Sequence, residues 1–153
     1  MPRIILAKTV GSTLMELMVV VAIIASLAAM AVPTFVTYRD KSRVTQVVGS
    51  SEAIRAALAS YAAGNSQNVY PLTGVITDFD SLRLVVNKNG GVLPSAAIFT
   101  VRNYASYDSD GDGVADTYSM RLIVNGVPPS LLGSQILLTP EGIFKCTPSG
   151  NPC

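Results

Sequence analysis

Four of the chain's ten acidic residues fall within nine positions, in the run Asp108-Ser109-Asp110-Gly111-Asp112-Gly113-Val114-Ala115-Asp116. Carboxylates crowded this closely repel one another unless a cation sits among them. The spacing is that of a calcium loop, with carboxylates at positions 1, 3 and 5, Gly at 6, a backbone carbonyl at 7 and a carboxylate at 9. Here those positions are Asp108, Asp110, Asp112, Gly113, Val114 and Asp116. Gly113 permits the sharp turn that aims the oxygens inward. Position 12, where an EF-hand carries a bidentate Glu, is Ser119, and the flanks read as strands. The loop is therefore closer to the Asp-x-Asp-Gly-Asp-Gly loops of extracellular calcium modules, with Asp116 as the candidate bidentate ligand. An all-oxygen donor set argues against zinc or copper. The plainer alternative is a solvated polar turn between two strands.

Glu16 is the second residue whose placement calls for chemistry. It stands near the start of GSTLMELMVVVAIIASLAAMAVP, residues 11–33, and the 22 residues from 17 to 38 carry no charge. A membrane-spanning helix needs about 20. A carboxylate at bilayer depth costs roughly 2.5–3.5 kcal/mol on insertion scales, so it needs a partner. Two plainer readings compete. Glu16 snorkels at the membrane edge, or the run is a secretory signal cut at the Ala29-Met30-Ala31 box.

The remaining composition excludes more than it assigns. With no His, neither a Ser-His-Asp nor a Cys-His arrangement can form within the chain. A net charge of +1 leaves no nucleic-acid footprint. The two cysteines, Cys146 and Cys153, lie in the last eight residues and fit an oxidising compartment. They form either a bridge or a pair of free thiols; without His or further Cys they make a poor metal site. No general-base constellation is present, and we expect no enzymatic activity. Charge alone leaves the membrane topology open, because Arg3 and Lys8 precede the apolar run while Arg39, Lys41 and Arg43 follow it.

These residues need elements to hold them. The chain from Ser12 to about Ala63 reads as one long helix, apolar all round in its first half. From Arg39 onward it is amphipathic, with Val44, Val47, Val48, Ser51, Ile54, Leu58, Tyr61 and Ala62 on one face. Such a helix is about 78 Å long at 1.5 Å per residue. Pro33 should bend or open it, and Gly64-Asn65 should stop it. Residues 64–80 read as a loop. Strands are expected at 82–86, 98–107, 117–124, 135–139 and 143–146. The Asn-Lys-Asn-Gly-Gly run at 87–91 marks a turn, and a hairpin closes around Pro140-Glu141-Gly142. An α+β fold follows, with the helix stripe packed on an antiparallel sheet of about four strands. Arg83, Arg102 and Arg121, on separate strand candidates, form either a cluster or a solvated sheet face. The loop acids Asp78 and Asp80 suggest no chemistry, and the tyrosines read as core and interface residues.

Over roughly residues 8–33 the chain resembles the type IV pilin family, which includes the pseudopilins of type II secretion. The shared pattern is a short basic leader ending in Gly, a cleavage, then Thr, Leu, an aliphatic residue, Glu and a long apolar run. Here Gly11 ends the leader and Ser12 begins the mature chain, where the family usually has Phe. Thr13, Leu14, Met15 and Glu16 follow, so Glu16 is the fifth mature residue and Pro33 the twenty-second. Position 25, a Gly in the family, is Ala25, which implies less loosening of the helix before Pro33.

The resemblance implies residues 1–11 as leader, 12–38 as membrane and filament-core helix, 39–63 as its amphipathic half, and 64–153 as a β-rich head. It implies cleavage after Gly11 on the cytoplasmic face by a prepilin peptidase, any N-methylation falling on Ser12, and a disulfide loop between Cys146 and Cys153. The implied partners are a prepilin peptidase, an assembly motor and platform, and other copies of the chain or sister pilins. The chain would pass from the bacterial inner membrane to a surface filament. Calcium-type loops recur in some pilins and pseudopilins, so calcium is the expected cofactor. Losing Arg3 and Lys8 leaves nine basic side chains against ten acidic ones, a balance that suits close packing of copies. The alternatives are a pseudopilin in a periplasmic pseudopilus, and a monomeric calcium-binding domain that is membrane-anchored or secreted.

Overall fold

The computed structural model describes residues 13–94 and 97–146. The chain divides between Tyr38 and Arg39 into two compact units. One helix, α1 (Leu14–Ala63), contributes to both.

In the first unit every described residue is exposed. Its few polar side chains turn back on the helix. Ser26 Oγ donates to the Ile23 carbonyl at 2.8 Å, Thr34 Oγ1 to Met30 at 3.1 Å and Thr37 Oγ1 to Pro33 at 3.0 Å. These three hydroxyls are thereby satisfied within the helix, as an apolar surrounding requires. The helix runs unbroken through Pro33.

In the second unit α1 presents a buried face made of Asp40, Val44, Val47, Ser51, Ile54, Ala57, Leu58 and Ala62. These recur at steps of three and four, the single-face spacing of a helix. The helix stops at Ala63, where Gly64 N–H donates to the Ser60 carbonyl at 3.1 Å and the Asn65 amide caps Tyr61 at 2.9 Å.

The sheet has four strands in the order β1-β2-β3-β4, all neighbours antiparallel. They are β1 (Phe99–Tyr107), β2 (Thr117–Val124), β3 (Gln135–Leu138) and β4 (Ile143–Lys145). Strict alternation along β2 buries Tyr118, Met120, Leu122 and Val124. The β3–β4 hairpin closes with reciprocal Thr139 and Gly142 backbone hydrogen bonds at 3.0 and 3.3 Å.

The expected strand at 82–86 is a helix instead, α2 (Phe79–Lys88). Asp78 and Ser81 form a capping box at its start, and Phe79, Leu82 and Val86 recur at three and four to face the core. The Asn-Gly signal that follows ends this helix rather than turning a hairpin, with Gly90 at φ +82. The α1 face, α2 and the sheet's inner face share one cluster that includes Ile54, Leu58, Leu82, Met120 and Ile136. Each fully buried side chain of this kind contributes about 1.5–3 kcal/mol.

Candidate assembly and cation sites

Gly11 and Ser12, the expected processing site, lie outside the described residues. Glu16 lies in the first turn of α1 and is exposed. Its N–H donates to Thr13 Oγ1 at 3.3 Å, so Thr13 caps the helix on which the carboxylate is carried. A negative group in the first turn also suits the positive end of the helix dipole. Residues 17–38 then give an apolar surface on all sides, which includes Leu17, Met18, Ile23, Ile24, Leu27 and Phe35. The helix is long and apolar enough to cross a membrane. An exposed apolar surface of this extent needs lipid or other protein against it.

The β1–β2 connection brings Asp108, Asp110 and Asp112 together, with one carboxylate oxygen of each within 4.8 Å of the others. Gly111 at φ +85 and Gly113 at φ +87 make the turns that allow it. Asp108 organises the loop from inside. One of its oxygens accepts from the N–H groups of Asp110 (3.1 Å) and Gly111 (2.6 Å), and the other from Gly113 (2.7 Å). The Gly113 and Gly111 amides hold its carboxyl below the usual range. Asp110 shows the opposite balance. The Asp112 amide favours its charged form, but the Asp112 charge, desolvation and the Asp116 charge outweigh that and raise it.

Asp116 is held elsewhere in the loop. Its two oxygens accept from Ser109 N–H (2.9 Å) and Ser109 Oγ–H (2.6 Å), and the hydroxyl and amide of Ser109 lower its pKa. The group within 4.8 Å is therefore three carboxylates, without the fourth that the spacing proposed. Val114, proposed as a carbonyl ligand, donates its N–H to Asp112 at 2.8 Å. The Ser109–Asp116 pair has no signal in the sequence, because hydroxyl-to-carboxylate pairing across seven positions is not periodic. The donor set fits a hard divalent cation, which takes oxygen ligands.

Cys146 is buried after β4 and is not a free thiol; Cys153, the other expected member of a disulfide loop, lies outside the described residues. The loop acids have structural roles. Asp78 caps α2, and Asp80 pairs with Arg83 at 3.3 Å. Of the three arginines, Arg102 and Arg121 come directly opposite each other on β1 and β2, while Arg83 is on α2. Tyr70, Tyr104 and Tyr118 form a ring cluster with centroids 4.8 and 6.2 Å apart around Tyr118. Burial pushes Tyr104 and Tyr118 far above the ordinary phenol range.

No family model and no solved structure matches the chain. Several curated proteins are similar to it. Fimbrial protein Q of Moraxella bovis is 29% identical over 143 residues, covering 92% of this chain and 87% of that protein. A fimbrial protein of Pseudomonas aeruginosa is 39% identical over 70 residues, 46% of each chain. Type II secretion system core protein G of P. aeruginosa is 44% identical over 63 residues, 41% of this chain and 43% of that protein. The matched part thus spans less than half the length of the two P. aeruginosa proteins.

Proposed function

We infer that the chain belongs with the type IV pilins and pseudopilins and serves as a structural subunit of a filament built through its N-terminal helix. The observation that carries this is the stretch from Leu14 to Tyr38. It is helical, exposed and apolar, and it bears a single carboxylate, Glu16. Two relatives named fimbrial proteins support the pilus reading. The secretion core protein supports a pseudopilus as the second reading.

The mechanism follows from burying that carboxylate. Cleavage after Gly11 creates an α-amine at Ser12, protonated at neutral pH. Inside the membrane this amine is the natural partner for Glu16 of a neighbouring copy, because an unpaired charge there is costly. Pairing fixes the stagger between copies, and the apolar surfaces around residues 17–38 then pack together. Pairing within one chain competes, since Ser12 and Glu16 are four apart on one helix face. Prepilin peptidase, an assembly motor and a platform are the partners this pathway needs. The route runs from the inner membrane to a surface filament, or to a periplasmic pseudopilus in the second reading. The chain itself supplies structure and no catalysis.

In the head, Asp108, Asp110 and Asp112 would hold a calcium ion with the Val114 carbonyl, and Asp116 would join on release from Ser109. The ion would neutralise the carboxylates and fix the loop. A disulfide between Cys146 and Cys153 would tie the tail to the end of β4, worth about 2–4 kcal/mol.

Replacement of Glu16 tests the assembly mechanism. Glu16→Gln and Glu16→Ala chains should be processed normally and retain the thermal melt of the head, yet yield few or no sheared filaments. Wild-type filament yield from both would remove the carboxylate from assembly.

A further inference from the structure

Two buried polar atoms of the head, Tyr118 Oη and Arg55 Nε, have no hydrogen-bond partner among the described residues. Leaving such a group unpaired is costly, so each calls for a physical reason. Both residues line one cavity of about 280 Å³, walled by α1, Tyr70, the start of β2 and Pro140 of the β3–β4 hairpin. Tyr118 is 1% exposed, while the Glu52 side chain on the same cavity is 64% exposed. The cavity therefore runs from solvent into the core. Its polar groups are held in place. Arg55 Nη1 donates to Glu52 Oε2 at 3.1 Å and Nη2 to the Pro140 carbonyl at 2.8 Å. That leaves Nε–H as the donor without an acceptor. The Tyr118 ring packs edge-on against Tyr70, with centroids 4.8 Å apart.

The chemistry of the two atoms selects an acceptor. A guanidinium only donates. Burial raises the Tyr118 and Tyr70 phenols above their ordinary range, so both keep their protons at neutral pH and Tyr118 is free to donate. We propose that this cavity binds a small organic monocarboxylate. Its carboxylate accepts from Arg55 Nε–H and Tyr118 Oη–H, and its tail lies against Ala56, Ala59 and the Tyr70 ring.

Size and charge narrow the ligand. One water takes up about 30 Å³, so the cavity exceeds what a single bridging water fills. It also falls below the usual range of ligand pockets, about 300–1,000 Å³, which restricts the tail to a short one. An ionised acceptor makes a hydrogen bond about twice as strong as a neutral one. Arg55 is the one cation among the described lining residues. Glu52 already takes one edge of its guanidinium. On Tyr70, after burial, the charges of Arg55 and Asp116 act in opposite directions, so a second carboxylate stands close to this wall. A phosphate dianion would meet two carboxylates across a single guanidinium, whereas one carboxylate balances it. Such binding is a property of the head and does not depend on filament assembly.

Nuclear magnetic resonance tests it on the full-length chain in uncharged detergent micelles, where the apolar helix is covered. The protein carries 15N-arginine, and the Arg55 Nε–H resonance is assigned by its loss in Arg55→Lys. Sodium propionate is titrated at constant ionic strength against chloride. The expected result is a saturable downfield shift of Arg55 Nε–H, with nuclear Overhauser contacts from the propionate methyl to the Ala56 and Ala59 methyls. Inorganic phosphate should give no saturable shift. Tyr118→Phe, which removes only the unpaired hydroxyl, should keep the wild-type melt and weaken propionate at least about tenfold, the worth of one hydrogen bond to a charged group. The proposal is overturned by a shift no different from that with chloride, by an absence of methyl contacts in wild-type protein, or by equal affinity in Tyr118→Phe. A shift that grows with protein concentration in the absence of propionate would also overturn it, giving the cavity to a carboxylate of a second copy.

Discussion

Asp78 and Ser81 bind each other across the first turn of α2. Ser81 N–H donates to Asp78 Oδ1 at 2.8 Å, and Asp78 N–H donates to Ser81 Oγ at 3.0 Å. The Ser81 amide and hydroxyl hold the Asp78 carboxyl below its ordinary value of 3.8. A carboxyl lowered in the folded state stabilises above its unfolded pKa, and that contribution is lost as pH falls through the folded value. Asp78→Ala should therefore lower the melting temperature at pH 7, and its difference from wild type should shrink as pH drops below about 4. A difference unchanged down to pH 2 would mean the cap is not acting through its charge.

The position of α2 is tested by two leucines. On a strand, Leu82, Leu84 and Val86 would share a face. On the helix, Leu82 and Val86 are fully buried while Leu84 is 72% exposed. Leu82→Ala should cost about 2–5 kcal/mol, and Leu84→Ala should stay within about 0.5 kcal/mol. Urea denaturation of the two variants distinguishes the arrangements, since equal losses would favour a strand.

Calcium should stabilise the head through the β1–β2 loop. With the weak affinity of extracellular sites, millimolar calcium should raise the melting temperature by about 4–8 °C relative to chelator. Asp110→Asn/Asp112→Asn should erase that shift. Ser109→Ala, which frees Asp116, should enlarge it. No shift in wild-type protein would leave the loop a solvated turn.

Much of this architecture was legible because it is periodic. The stripe from Val44 to Ala62 has the step of a helix, and Tyr118 to Val124 alternates as a half-buried strand must. The misread segment, 82–86, is a short apolar run of β-compatible residues before an Asn-Gly signal. At that length periodicity cannot separate strand from helix. The deciding cue was the Asp78–Ser81 pair, which holds the Ser of an Asp-x-x-Ser box where a Glu or Gln is usual. The acidic loop was legible as a cluster, but the pairing of Asp116 with Ser109 was not, because the two meet only once the turn has formed. The Arg102–Arg121 opposition depends on a register set by the fold, so sequence alone left a cluster and a solvated face equally open.

Entry into a filament through a processed N-terminal helix is tested by the intact mass and N-terminal sequence of the protein in sheared surface filaments. The expected result is a chain beginning at Ser12 in that fraction, with a mass two hydrogens below the reduced value for the disulfide. A chain beginning at Val32, soluble and absent from the filaments, would contradict it.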